Sequence, residues 1–184
     1  MMPVHLPLLH QLDTDPEVMR FILGRARTAG ETDTFWGPRC ADTSADTAGL
    51  GWWVGFHDQT FIGWWDLSPG TAVDINAVIE AEIGWRVLRA RWRRGFASEG
   101  ARVLLSHAFD TVGLHRVWAE TMAVNVASRG VMRAIGMHHV RTEQRQWDQP
   151  LPGADQGEAI YEITRGDWLV RSGGRPPERA DQLG

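Results

Sequence analysis

The chain has 184 residues, 43% hydrophobic and 23% charged, the size and balance of about one globular domain with a packed core. All 19 basic residues are arginine, which excludes lysine Schiff bases, pyridoxal-phosphate attachment and Walker-type phosphate loops. One cysteine, Cys40, excludes disulfides, structural zinc clusters and iron–sulfur sites within the chain.

The opening MMPVHLPLLHQLD has no basic region ahead of an apolar one, so no signal peptide is expected. No run reaches the roughly 18 apolar residues of a membrane span. The expectation is a soluble, cytoplasmic protein with no membrane partner, a monomer or homodimer.

Leu6, Leu9 and Leu12 predict a short helix, and Asp15-Pro16-Glu17 reads as the start of a second through Val18, Met19 and Ile22. Residues 24–49, rich in Gly, Thr, Asp and Ala, read as a long loop with one helix at most. Gly51 to His57 and Phe61 to Leu67 are strand-like runs joined across Asp58-Gln59 at hairpin spacing, with Ser68-Pro69-Gly70 closing the second. Glu80 to Leu88 alternates as a strand, with Ala81, Ile83, Trp85 and Val87 on one face and Glu82, Gly84 and Arg86 on the other. Ala97, Ala101, Leu104, Leu105, Ala108 and Val112 keep helical spacing up to Gly113. Arg116 to Met122 predicts a strand. Asn125 caps a helix carrying Ser128, Val131, Met132 and Ile135 on one face. His138 to Trp147 and Glu158 to Thr164 predict two last strands. This order indicates a mixed α/β sheet in one domain over residues 1–170, with residues 171–184 as a disordered tail.

The junction Trp92-Arg93-Arg94-Gly95-Phe96-Ala97-Ser98-Glu99-Gly100 carries the strongest local signal. A glycine turn at a helix start points backbone N–H groups and the positive end of the helix dipole at an anion such as a pyrophosphate. Arg89, Arg91, Arg93 and Arg94 add charge around it, although such turns also occur for packing alone. The full G-x-G-x-x-G spacing of a dinucleotide fold is absent.

Glu82-Ile83-Gly84-Trp85-Arg86-Val87, then WRRGFASEGARVLLSHAF, then NVASRGVMRAIGM, resembles the GNAT acetyltransferases, in their RimJ/RimL-type branch. The resemblance runs from about Leu9 to Thr164. It implies a GNAT acyl-CoA N-acyltransferase fold, a mixed, splayed sheet flanked by helices, with acetyl-CoA wedged between two central parallel strands. It implies that backbone groups of Val87 and Leu88 hold the pantetheine arm and that Arg93, Arg94, Gly95, Phe96, Ala97 and Ser98 hold the pyrophosphate. Asn125 matches the asparagine of the second cofactor motif, with Ser128 three residues on. Two positions depart from the pattern. Met132 stands where a proton-donating tyrosine is often found, and the chain starts too late to supply the family's first strand, since Leu6 to Leu12 already matches its first helix. Either the start is truncated or Met1 to His5 substitutes for that strand.

Acetylating an amine requires a group that collects its proton. The place of Glu82 ahead of the cofactor loop resembles the base of family members; the alternative is a glutamate paired with Arg86 or Arg116. Ser128 is read either as a donor to the departing thiolate or as satisfying helix backbone, and Glu99 as a complement to the helix dipole. No metal site is expected: His138 and His139 alternate on a strand, and the other histidines lack ligand spacing. Cys40, in a loop with no basic partner, is no nucleophile. Trp52, Trp53, Trp64 and Trp65 are core, with alternation turning some to the opposite, substrate side.

The charge is segregated. Residues 1–80 hold 4 Arg against 11 acids, residues 81–145 hold 11 against 5, and the remainder 4 against 7. The acidic first segment predicts a cationic amine acceptor, met by Glu31, Asp33, Asp42 and Asp46 with Trp36 or a strand tryptophan; these acids equally serve solubility. Three functions are therefore weighed. The first is an N-acetyltransferase using acetyl-CoA on a protein N-terminus or small-molecule amine. The second is a catalytically weak acyl-CoA-binding or regulatory module. The third, a nucleic-acid binder prompted by the arginine cluster, is opposed by the net charge of −4.

Overall fold

The structure, a computed structural model, describes residues 1–69, 79–171 and 173. The expected turn at Gly70 and the tail beyond Arg171, save Gly173, lie outside the described residues. In chain order come α1 (Leu6–Asp13), α2 (Ala29–Ala41), β1 (Gly51–His57), β2 (Thr60–Pro69), β3 (Glu80–Val87), α3 (Phe96–Ser106), β4 (Arg116–Met122), α4 (Val126–Ala134), β5 (His138–Glu143), β6 (Glu158–Thr164) and α5 (Arg165–Arg171). The six strands form one sheet in the order β1-β2-β3-β4-β6-β5, and only β3 and β4 pair in parallel.

Asp58 and Gln59, both at positive φ, form the two-residue hairpin turn between β1 and β2. The apolar alternation of β2, β3, β4 and β6 then gives the sheet two different sides. Leu67, Ile83, Val117, Tyr161 and Ile163 pack with Ala101, Leu104 and Leu105 of α3 and Met132 of α4. Each fully buried Leu, Ile, Val or Met among them contributes about 1.5–3 kcal/mol. On the opposite face a smaller cluster joins Leu9 and Leu12 of α1 to Trp36 and Cys40 of α2 and to Trp64 of β2. The paired tryptophans divide accordingly: Trp53 and Trp65 lie on the α3 side, Trp52 and Trp64 on the α2 side.

Several elements differ from the sequence reading. Residues 16–23 form consecutive turns rather than a helix, closed by bonds such as Met19 N–H to Asp15 O and Ile22 N–H to Met19 O. The chain there folds back so that Arg27 reaches Asp13. The helix within the supposed loop 24–49 is α2, started by a capping box in which Thr28 and Glu31 satisfy each other's N–H groups. That places Cys40 on a helix, buried, with burial pushing its thiol up. The helix predicted to Val112 is α-helical to Ser106 and ends as a π-helical turn over His107–Val112. The strand predicted to Trp147 stops at Glu143, and α5 was not foreseen. Met1 to His5 adds no strand: Pro3–His5 is a 3₁₀ turn, and β1 forms the sheet edge among the described residues.

Candidate active site

The central parallel pair is short. Glu80, Ala81 and Glu82 pair with Arg116, Val117 and Trp118, yet β3 continues to Val87 and β4 to Met122. The two strands therefore part beyond Glu82 and leave a gap whose edges are unpaired backbone. Leu88 N–H donates to Ile62 O at 2.9 Å. Alternation of the antiparallel ladder then turns the N–H and C=O of Val87 away from β2 and toward the gap. The Val87 carbonyl accepts the Trp92 indole N–H at 2.7 Å, so its N–H is left for a ligand. The Leu88 carbonyl already accepts from Arg91 N–H.

At the end of the gap stands the start of α3. Arg93 (φ 59) and Gly95 (φ 86) are both left-handed, a conformation that favours glycine at 95 and is strained for arginine at 93. Phe96 and Ala97 turn their side chains into the core, and the Ala97 carbonyl accepts the Trp65 indole N–H at 3.1 Å. No side chain caps the first turn. Its N–H groups and the dipole are therefore available to an anion. Arg89, Arg91, Arg93 and Arg94 take part in no ion pair among the described residues. A strand gap ending in uncapped amides and unpaired guanidinium groups suits a long, phosphate-bearing thioester such as acetyl-CoA.

Asn125 ties α4 to β4. Its side-chain oxygen accepts Ser128 N–H at 3.2 Å and its amide donates to Thr121 Oγ1 at 3.0 Å. The half-buried Ser128 hydroxyl makes no hydrogen bond to any described residue, so it does not serve helix backbone. Met132 is 1% exposed and belongs to the core. The chain's single tyrosine, Tyr161, is also buried, its hydroxyl held by Arg129 at 3.2 Å.

On the other face the acids gather. Glu82 is half-buried and makes no ion pair with either arginine considered for it: Arg116 binds Glu80 (2.7 Å) and Glu162 (2.6 Å), and Arg86 binds Asp13. Burial raises the Glu82 carboxyl above its usual range; Glu120 adds to the rise and Arg145, held by Glu120, offsets part of it. Glu158 is raised by burial and by the same Glu120.

Two features escaped the sequence reading. Asp66 on β2, 6% exposed, is pushed up to about 7 by burial, against the lowering effect of a 2.6 Å hydrogen bond from the Ser68 hydroxyl. Its register partner is Gly84, where a Cβ would fall 2.3 Å from the carboxylate. Glycine is there to make room for it. The signal was the alternation Trp64, Asp66, Ser68, which sets a carboxylate on a strand face otherwise lined with tryptophan. The second is Asp13, fully buried, which accepts from Arg27, Arg86 and the Trp36 indole (2.9 Å).

Of the acids expected at the acceptor side, two are already engaged. Glu31 is held down to about 2 by the Arg25 guanidinium, and Asp33 hydrogen-bonds His10 at 2.8 Å. Trp36 is wholly buried. Asp42 and Asp46 do line a cleft of about 170 Å³, together with Arg39, Trp52 and Ser68.

A family model described as "Acetyltransferase (GNAT) domain" matches residues 1–138. A protein of Aspergillus fumigatus named FsC-acetyl coenzyme A-N(2)-transacetylase is 40% identical over 171 residues, covering 90% of this chain and 72% of its own length. Among solved structures, the spermidine N-acetyltransferase of Vibrio cholerae in complex with CoA and spermine superposes with a TM-score of 0.72 at 15% identity, over 92% of this chain and 95% of that one. The ribosomal alpha-N-protein acetyltransferase RimL in complex with coenzyme A gives 0.68 at 18% identity, over 88% and 89%. The parted strands, the family model and the fungal relative agree: the chain belongs to the GNAT acetyltransferase family and is an acyl-CoA-dependent N-acetyltransferase.

Proposed function

We propose that the chain moves an acetyl group from acetyl-CoA directly to a primary amine of a cationic acceptor, a small molecule or a protein N-terminus, in the manner of the RimJ/RimL-type branch. The observation that carries this reading is the gap beyond Glu82, which has an anion-ready helix start at one end and an unpaired, half-buried carboxylate at its root. The Val87 N–H, left open by the ladder, holds the pantetheine arm, while the Leu88 N–H and carbonyl are engaged by Ile62 and Arg91. The amides of Gly95 to Ser98, with Arg93 and Arg94, hold the pyrophosphate, and Asn125 fixes the start of α4 beside them. Acetyl-CoA supplies an electrophilic thioester carbon. Glu82 collects a proton from the attacking nitrogen, a task that burial, by raising its affinity for protons, favours. The free Ser128 hydroxyl donates to the departing sulfur.

The fungal relative's name places its acetyl group on a nitrogen, and the Vibrio structure holds a polyamine; both support an amine acceptor here. The test is release of free CoA thiol from acetyl-CoA with a panel of polyamines, amino acids, aminoglycosides and N-terminal peptides. Release with at least one primary amine, faster than hydrolysis in its absence, is the expected result. Binding of acetyl-CoA without release by any amine would return the chain to the role of a binding module.

A further inference from the structure

A protonated primary amine must lose two protons to become a secondary amide: one before it can attack and one as the new N–C bond forms. The reading above, on which this inference rests, gives Glu82 one of them. Ser68 is the register partner of Glu82 across β2 and β3, and it also lines the cleft that holds Asp42, Asp46 and Trp52. Its hydroxyl donates at 2.6 Å to Asp66, which lies behind it and does not itself line the cleft. Gly84, one step beyond Glu82 on the same face of β3, provides the space in which Asp66 sits. The arrangement sets a serine on the cleft wall with its hydroxyl bonded to a buried carboxylate, at the point where β3 leaves β4.

We propose that Asp66, acting through the Ser68 hydroxyl, takes the first proton from the acceptor's ammonium group as it passes from the cleft toward the gap. The Ser68 oxygen accepts the ammonium proton while its own proton moves to Asp66. The freed lone pair forms the N–C bond, the C–S bond breaks, and the second nitrogen proton goes to Glu82. The sulfur leaves as thiolate and is protonated from Ser128, which regains its proton from Glu82. Asp66 returns its proton to solvent, the one net proton released. Ser68 touches the amine, and Asp66 is its positioning residue. The charged groups acting on Asp66 are Glu82, which favours its protonated form, and Arg86, which favours the carboxylate. From β1 it faces Trp52, whose carbonyl accepts from the Met1 ammonium, while Arg39, Asp42, Asp46 and Met1 line the cleft beyond Ser68.

The test uses the full chain and the variants Asp66→Asn, Ser68→Ala and their double, with three readouts. The first is the carboxyl-carbon NMR titration of the free protein, independent of turnover. One aspartate signal should titrate near pH 7 and vanish in Asp66→Asn. The second is stability against pH. A carboxyl with a folded pKa above its unfolded value of about 4 stabilises fully below the latter and loses that contribution as pH rises to about 7. Wild-type stability should therefore fall over that window relative to Asp66→Asn and stay level above it. The third is amine kcat/KM against pH, which should rise with ionisation of Asp66 in wild type and lose that limb in Asp66→Asn. Each single variant should lose at least about tenfold at pH 7 with acetyl-CoA affinity unchanged, and the double should lose no more than either single.

A titration in the ordinary aspartate range overturns the proposal, as does a folded Asp66→Asn protein that keeps the wild-type pH limb. Wild-type protein inactive on every amine removes the acetyl-transfer reading and the relay together. Full wild-type activity with Asp66→Asn unimpaired removes the relay alone.

Discussion

The two faces of the β3–β4 pair share a backbone and differ in chemistry. Toward α3 and α4 the strands present Ala81, Ile83, Val117 and Ala119, closed by leucines and Met132. Toward α1 and α2 the same strands present Glu80, Glu82 and Arg86, then Arg116 and Glu120, with Glu158 and Glu162 from β6. The apolar face holds the sheet together and seats the helix whose start meets the gap. The polar face carries the titrating groups. The charge segregation visible along the sequence is thus mainly a segregation by face. Glu82 and Glu120 come from the arginine-rich segment, and Glu158 from the last one, yet they meet Asp66 of the acidic segment on one side of the sheet.

The largest expected effect tests what holds α1 and α2 onto that polar face. Asp13 is the common partner of Arg27 and Arg86, which are 8% and 9% exposed. Asp13→Ala leaves both guanidinium groups buried without it and should cost about 3–5 kcal/mol in denaturant unfolding. Leu104→Ala, on the apolar face, should cost about 2–5 kcal/mol by cavity formation. A loss below about 1 kcal/mol for Asp13→Ala would mean that the tryptophan cluster alone binds the two helices.

Next in size is the chemistry. Glu82→Gln should lower kcat about a hundredfold and leave acetyl-CoA affinity unchanged in a calorimetric titration, because it removes a proton acceptor without touching the cofactor loop. Ser128→Ala should cost less, about tenfold or below, since water can replace a hydroxyl that only donates. Wild-type turnover in Glu82→Gln across the pH range would shift both protons to Asp66.

Those variants also mark how far the sequence could be read. The anion-ready helix start was legible because it is local: a glycine turn, four arginines and a helix start follow one another along the chain, and the parting of β3 from β4 agrees with the family pattern around them. The polar face was legible only in part. Glu82 stood out by its place before the loop, whereas the alternation Trp64, Asp66, Ser68 marks a carboxylate on that strand face but not the space that Gly84 opens for it across the register with β3. Asp13 drew no notice in the sequence; its network needs Arg27 and Arg86, 14 and 73 residues away. The acids at Glu31 and Asp33 were assigned by segment charge, but local pairing with Arg25 and His10 engages both. The capping box Thr28–Glu31, by contrast, was present as a T-x-x-E pattern and escaped within a glycine-rich stretch.

A smaller effect is expected at the cationic end of the gap. Gly95→Asp should raise the acetyl-CoA dissociation constant about tenfold, near 1.4 kcal/mol, by setting a negative charge against the pyrophosphate. A Cβ at this position meets no atom within 4 Å, so the cost is conformational and electrostatic. Gly95→Asn carries the same φ demand without the charge and separates the two. Equal weakening by both would assign the effect to backbone strain, and unchanged affinity in both would remove the loop from the cofactor site.

The smallest effect belongs to the cleft mouth, where the two carboxylates of Asp42 and Asp46 share the wall with Arg39. The Ser44 backbone N–H holds the Asp42 carboxyl below its usual range, so it stays ionised at any working pH. Arg39 is turned onto the Phe35 ring, 3.8 Å from its centroid, and donates to the Phe35 carbonyl. The Met1 ammonium, also on the cleft wall, donates to the Trp52 carbonyl. The two carboxylates are in no ion pair among the described residues. Their field should gather a cationic amine, with Trp52 beside them as an aromatic wall. Because both are solvent-exposed and Arg39 partly cancels them, Asp42→Asn with Asp46→Asn should raise the Michaelis constant of a polyamine only about two- to threefold, and kcat should not change. The same constant should rise with added salt in wild type and respond less in the double variant, since screening removes what the substitutions have already removed. Arg39→Gln should move it the other way. A best acceptor that is anionic, or a Michaelis constant indifferent to both salt and Arg39→Gln, would mean that the acidic mouth serves solubility and that selection of the amine begins deeper, at Ser68 and Glu82.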